Sequence, residues 1–154
     1  MKDIVIGSDH GGFELKEDLK KYLEQLGYNV NDQGPKDENS VDYPDYGITL
    51  AEAISTGRYK KGILVCGTGI GMSIVVNKFP NVRGALCGDI FSSRLSRLHN
   101  DANIIILGGR VTGKGLAREM VETWLKTEFE GGRHQVRLDK IKKLEKDLMK
   151  GESK

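Results

Sequence analysis

Short apolar runs punctuate the chain at Ile4-Val5-Ile6, Tyr28-Asn29-Val30, Ile63-Leu64-Val65, Gly84-Ala85-Leu86 and Ile104-Ile105-Ile106-Leu107, and amphipathic stretches alternate with them. Runs of this kind predict strands, and strands separated by helix-length segments predict a parallel sheet. Phe13, Leu15, Leu19, Tyr22, Leu23 and Leu26 recur at helical spacing, and Gly27 stands where a C-cap glycine ends a helix. Further helices are expected over Tyr46–Ile54, Ile70–Lys78, Phe91–Leu98 and Leu116–Leu125. Right-handed crossovers then give an α/β protein: a Rossmann-like, three-layer αβα sandwich on a five-stranded parallel sheet.

The remaining segments qualify this outline. Gln33 to Tyr46, rich in Gly, Pro, Asp, Asn and Ser, is the longest irregular stretch and the natural place for a functional loop. From Arg133 to Lys150 the chain is highly charged, yet Val136, Ile141, Leu144 and Leu148 keep an apolar line at helical spacing. An extra C-terminal helix over 133–150 is expected there, packed on the sheet or on a partner subunit. No internal repeat or low-complexity tract interrupts residues 1–154, so a single domain is expected.

Charge narrows the possible partners. Lys and Arg total 24 against 22 acidic residues, and a net charge of +2 supplies no general field for nucleic acid or membrane. Any anion site must be local. The two cysteines, Cys66 and Cys87, each end an apolar run and form no CxxC pair or secretory pattern, which fits a reducing, cytoplasmic setting. The chain opens directly into its first apolar run, and no segment is apolar for long enough to span a bilayer. A soluble, unprocessed protein is expected.

In open parallel sheets, ligands bind beyond the carboxyl ends of the strands. Here those ends read Ser8-Asp9-His10-Gly11-Gly12, Cys66-Gly67-Thr68-Gly69-Ile70-Gly71 and Gly108-Gly109-Arg110, and all three are expected to face one cleft. Alternating glycines in the Cys66 loop let backbone amides turn inward at a helix start and form an anion nest. A thiol placed there is suited to act as a thiolate base. The same letters equally describe an inert core thiol beside a tight strand-to-helix turn.

Rival loop chemistries can be tested by letter. A P-loop requires Gly where Met72 stands and a Lys after it, and a cysteine-phosphatase loop would close with Arg at that position. A dinucleotide fingerprint also wants glycine at Met72, although Asp89 after the next strand imitates its ribose-binding acid. A non-catalytic nucleotide-binding module therefore remains a rival.

Outside the loop the single signals are weaker. His99, with Asn100, precedes the fifth strand and could shuttle a proton, but isolated histidines are mostly structural. With only three histidines, His10, His99 and His134, no metal cluster is implied. Arg133 and Arg137 lie one helical turn apart and could clamp a phosphate, or simply continue a solvated basic face with Lys140, Lys142, Lys143 and Lys146.

Taken in order, Gly7-Ser8-Asp9-His10-Gly11-Gly12, Asp42-Tyr43-Pro44-Asp45, Cys66 to Ser73, Leu95-Ser96-Arg97-Leu98-His99-Asn100 and Gly131-Gly132-Arg133-His134 closely resemble the ribose-5-phosphate isomerase B family over almost the whole chain. The resemblance implies an aldose–ketose isomerase acting on ribose 5-phosphate through a cis-enediolate, with allose 6-phosphate and galactose 6-phosphate as the family's other substrates. It puts the proton acceptor at Cys66, the enediolate pocket at Gly67, Thr68, Gly69, Ile70 and Gly71, and ring opening at His99 with Asp9. Asn100 would hold a sugar hydroxyl, and His10, Arg110, Arg133 and Arg137 would grip the phosphate, some from a second subunit of a homodimer or tetramer. The family uses no metal and no organic cofactor.

Overall fold

The computed structural model describes residues 2–151. Five strands, β1 (Lys2–Ser8), β2 (Tyr28–Asp32), β3 (Gly62–Cys66), β4 (Gly84–Leu86) and β5 (Ile104–Gly108), form one all-parallel sheet in the order β2-β1-β3-β5-β4. Six helices surround it: α1 (Phe13–Gln25), α2 (Tyr43–Ser55), α3 (Ile70–Val76), α4 (Ile90–Leu98), α5 (Lys114–Lys126) and α6 (Arg133–Gly151). The expected three-layer Rossmann-like sandwich is the observed fold.

Strand alternation sorts the core into two layers. Ile4, Ile6, Ile63, Val65, Ile105 and Leu107 face α1 and α5, where they meet Leu19, Leu23, Met120 and Trp124. Val5, Leu64, Ile104 and Ile106 point the other way, against Leu50 and Ile54 of α2 and Met72 and Val76 of α3. The central strands β3 and β5 are buried at every position, whereas the edge strands β2 and β4 are only partly covered. Connections run in opposite directions from β1 and β3, so a crevice opens between their carboxyl ends.

Several boundaries differ from the pattern-based reading. α2 begins at Tyr43 rather than Tyr46, because Pro44 fits a first helical turn whose N–H groups have no partner anyway. α3 stops at Val76, where Lys78 and Phe79 turn to carbonyls three residues back, at Val75 and Val76. α4 starts at Ile90 because Asp89 caps it, accepting from Ser92 N–H at 2.6 Å. That cap gives the residue that imitates a ribose-binding acid a helix-capping part through its Oδ1.

α6 does not pack on the sheet as one reading allowed. Among its described residues it buries only His134 and Leu138, leaving Val136, Ile141, Leu144 and Leu148 at 57%, 47%, 57% and 65% exposure. Ile141, Leu144 and Leu148 instead form one wall of an open groove of about 500 Å³, with Val82 and Ala85 opposite.

Candidate active site

The carboxyl ends of β1, β3 and β5 are stitched together by their own backbone. Asp9 N–H donates to Val65 O at 3.2 Å, Gly109 N–H to Cys66 O at 2.7 Å, and Arg110 N–H to Gly67 O at 3.0 Å. The three ends thus face one cleft, as the strand pattern predicts. The turn after β1 is capped by the buried Asp9, whose Oδ1 accepts from Gly12 N–H at 3.0 Å. Gly12 is required by contact: a Cβ there would lie 2.3 Å from Val65 O.

Cys66 ends β3, buried, with its Sγ accepting the Gly69 N–H at 3.0 Å. A backbone donor aimed at the sulfur stabilises negative charge on it. Thr68 is exposed, and its Oγ1 accepts from Ile70 N–H at 3.2 Å, leaving its own O–H free to donate. Gly71 sits in the first turn of α3, where an N–H has no carbonyl acceptor within the helix. Across the loop lies Tyr43, close enough that a Cβ on Gly71 would come within 2.6 Å of its ring. Tyr43, from the Asp42-Tyr43-Pro44-Asp45 segment at the start of α2, thus walls the Gly71 side of the loop.

Beside this loop a cavity of about 570 Å³ is lined by His10, Gly11, Glu38, Gly109, Arg110 and Lys114. His10 Nδ1 accepts from Val41 N–H at 3.2 Å, which fixes the ring proton on Nε2. The Arg110 side chain lies over Gly11 and Gly67, and no carboxylate pairs with it among the described residues. An imidazole N–H and an unpaired guanidinium thus frame the cavity, which suits an anion.

The other predicted residues lie at the opposite edge of the same chain. His99 caps the end of α4, and Asn100 follows it in an exposed turn. Asn103 O accepts from Gly62 N–H at 2.9 Å, which places this turn level with the start of β3. Cys66 lies at the far end of that five-residue strand, about 13 Å away at strand rise. Asp9 and His99 are therefore not brought together within one chain.

Arg133 and Arg137 share the His99 edge, both exposed and without carboxylate partners among the described residues. His134 stacks on His99 with ring centroids 4.1 Å apart and planes 13° from parallel. Burial, then the neighbouring His99, Arg133 and Arg137, pushes the His134 pKa down, against the opposing pull of Glu130. The spacing of Glu130 and His134, four residues apart, is the one sequence signal for this cluster. Cys87, by contrast, is an inert core thiol whose pKa is pushed up by burial.

Fold and crevice together define a Rossmann-like α/β protein whose ligand crevice opens at the carboxyl edge of a parallel sheet. Residues 4–141 match the Ribose/Galactose Isomerase family. The chain is 43% identical over 145 residues to ribose-5-phosphate isomerase B of Escherichia coli, covering 94% of this chain and 97% of that one. It is 46% identical over 143 residues to D-erythrulose-4-phosphate isomerase of Pectobacterium atrosepticum, covering 92% and 93% of the two chains. The structure of ribose-5-phosphate isomerase B from Clostridium thermocellum superposes with a TM-score of 0.93 at 51% identity, covering 95% of this chain and 99% of that one. This protein belongs to the Ribose/Galactose Isomerase family.

Proposed function

We propose that this single-domain protein interconverts D-ribose 5-phosphate and D-ribulose 5-phosphate through a cis-enediolate. The observation that carries the reading is the Gly69 N–H aimed at Cys66 Sγ inside the crevice. Cys66 removes the proton from C2 of the open-chain aldose and returns it to C1. As the proton leaves, charge builds on the C1 and C2 oxygens, and the amides of Gly67 to Gly71 with the Thr68 hydroxyl stabilise it. Two protons move, one from C2 to C1 through Cys66 and one from the C2 hydroxyl to the C1 oxygen within the enediolate, and no hydride does, so the step calls on no redox cofactor.

The aldehyde must first be freed from the furanose. His99 with Asp9 performs that ring opening, Asn100 holds a sugar hydroxyl, and His10, Arg110, Arg133 and Arg137 bind the phosphate. Because these residues divide between the two edges of one chain, a complete site requires a second subunit, whose amino edge meets the first subunit's cleft. A homodimer, or a tetramer built from such dimers, follows, and the uncovered stripe on α6 supports it. Free Cys66 and Cys87 support a cytoplasmic setting. Among the described residues no helix is long and apolar enough to cross a membrane.

The deciding experiment is a coupled isomerase assay with Cys66→Ala alongside the unaltered protein, using ribose, allose, galactose and erythrulose phosphates. The expected result is conversion of ribose 5-phosphate that Cys66→Ala abolishes while circular dichroism is unchanged. Near-normal turnover in that variant overturns the mechanism. Preference for D-erythrulose 4-phosphate, the substrate named for the Pectobacterium relative, would change the substrate but not the base.

A further inference from the structure

At the amino edge, Glu130, His99 and His134 converge without a direct hydrogen bond joining them. His134 Nε2 is buried and has no hydrogen-bond partner among the described residues. It lies 3.3 Å from Glu130 Oε2, too poorly aligned to bond, and His99 Nε2 lies 3.8 Å from the same oxygen. The three donor atoms fall within 4.8 Å of one another. A buried imidazole nitrogen left unpaired beside a carboxylate calls for a third party between them.

We propose that His99, Glu130 and His134 form a site for a divalent transition-metal ion of the zinc type. Two imidazoles and one carboxylate are the donor set of open zinc sites, in which a fourth position stays with water or a ligand. Metal–donor bonds of about 2.0–2.2 Å in a tetrahedron separate the donors by about 3.3 Å. The Glu130–His134 edge already has that length. His99 completes the set by turning its ring out of the stack. It sits at the end of α4 with about a third of its side chain exposed, and the rotation gives up the stack on His134 in exchange for the metal bond.

The backbone holds the cluster together. Glu130 N–H donates to Leu98 O at 3.0 Å, tying the segment before α6 to the last turn of α4. A bound ion would clip these two elements. Arg133 and Arg137 flank it, so an anion is favoured in the fourth position. One consequence rests on the reading of His99 given above: metal on its Nε2 occupies the nitrogen that would move the ring-opening proton, so the ion inhibits.

The test uses untagged, metal-free full-length protein titrated with Co²⁺ in the visible range, then with Zn²⁺ by competition. One saturable ion per chain is expected, with no thiolate-to-cobalt charge-transfer band. Glu130→Gln and His134→Gln should each weaken binding by at least about tenfold, and Cys66→Ala should not. If the buried His134 variant fails to fold, the exposed Glu130 variant decides alone. No saturation up to millimolar metal, a thiolate band that Cys66→Ala removes, or unchanged affinity in Glu130→Gln overturns the site. Saturable binding lost in Glu130→Gln but without inhibition supports the site and counts instead against the ring-opening role of His99.

Discussion

Gly69 reaches the sulfur of Cys66 with its own N–H at 3.0 Å, and it does so from a backbone φ of +83°. That conformation aims the amide back at the end of β3. An L side chain in it costs about 1–2 kcal/mol, and here a Cβ would also lie 2.5 Å from Leu86 Cδ1 and 3.2 Å from Leu107 O. Gly69→Ala is expected to lower stability by about 1–3 kcal/mol and, by turning the donor away, to lower kcat by roughly 10²-fold with a smaller change in KM. Urea midpoints and steady-state kinetics measure the two effects. An alanine variant with reduced stability but full kcat would show that this amide does not act on the thiolate.

The separation of Cys66 from His99 gives a prediction about mixing. On the proposed shared site, Cys66→Ala and His99→Asn homodimers each lack one half of every site. In the mixed dimer one site inherits both lesions and the other inherits none. Unfolding, mixing and refolding the two inactive proteins in equal amounts should restore roughly a quarter of the unaltered activity, because half the dimers are mixed and half their sites intact. Activity that stays at background after refolding would mean that each chain carries its whole site.

The fold was legible because strand runs such as Ile104 to Leu107 and the spacing of Leu15, Leu19 and Leu23 record two different burial patterns directly in the letters. Cys66, Asp9 and Arg110 were legible as neighbours because the rule for parallel sheets ties carboxyl-end residues to one crevice. His99 and Arg133 escaped that rule. They stand at the amino edge, where sequence order says nothing about which surface another copy brings near. Asp89 imitates a ribose-binding acid because a helix cap and such an acid demand the same residue at the same place. Only the 2.6 Å bond to Ser92 tells them apart.

Lys16 is fully buried, and its ammonium donates to Asp32 at 2.9 Å and to Pro35 O at 3.0 Å, anchoring the start of the loop that reaches His10 through Val41. Burial raises the Asp32 pKa, but Lys16, the Gly34 N–H and Lys20 together outweigh it and hold it below the ordinary carboxylate value. The folded state therefore releases this proton more readily than the unfolded state. Its stabilisation is complete above about pH 4 and is lost as pH falls through the lower, folded value. Asp32→Asn leaves the buried ammonium with only the partly exposed Glu17, at 2.8 Å, as countercharge and should cost about 3 kcal/mol at pH 7. The gap between the two proteins should close as both are titrated toward pH 2, followed by urea unfolding at fixed protein concentration. A gap that stays constant with pH would assign the loss to packing rather than charge.

The stripe on α6 offers the last prediction. Leu144 and Leu148 are 57% and 65% exposed, beside a groove of about 500 Å³ that no described residue fills. Completing the burial of each contributes about 1 kcal/mol per side chain, and a symmetric contact counts every residue twice. Four such side chains are enough to shift a dimer's dissociation by three orders of magnitude, at about 1.4 kcal/mol per tenfold. Leu144→Glu with Leu148→Glu places two charges on that stripe without touching the core of the subunit. Sedimentation should then report a monomer with unchanged helix content, and isomerase activity should fall to background because no partner supplies His99. An active monomer would remove the shared site, whereas an inactive dimer of normal size would show that association uses another face.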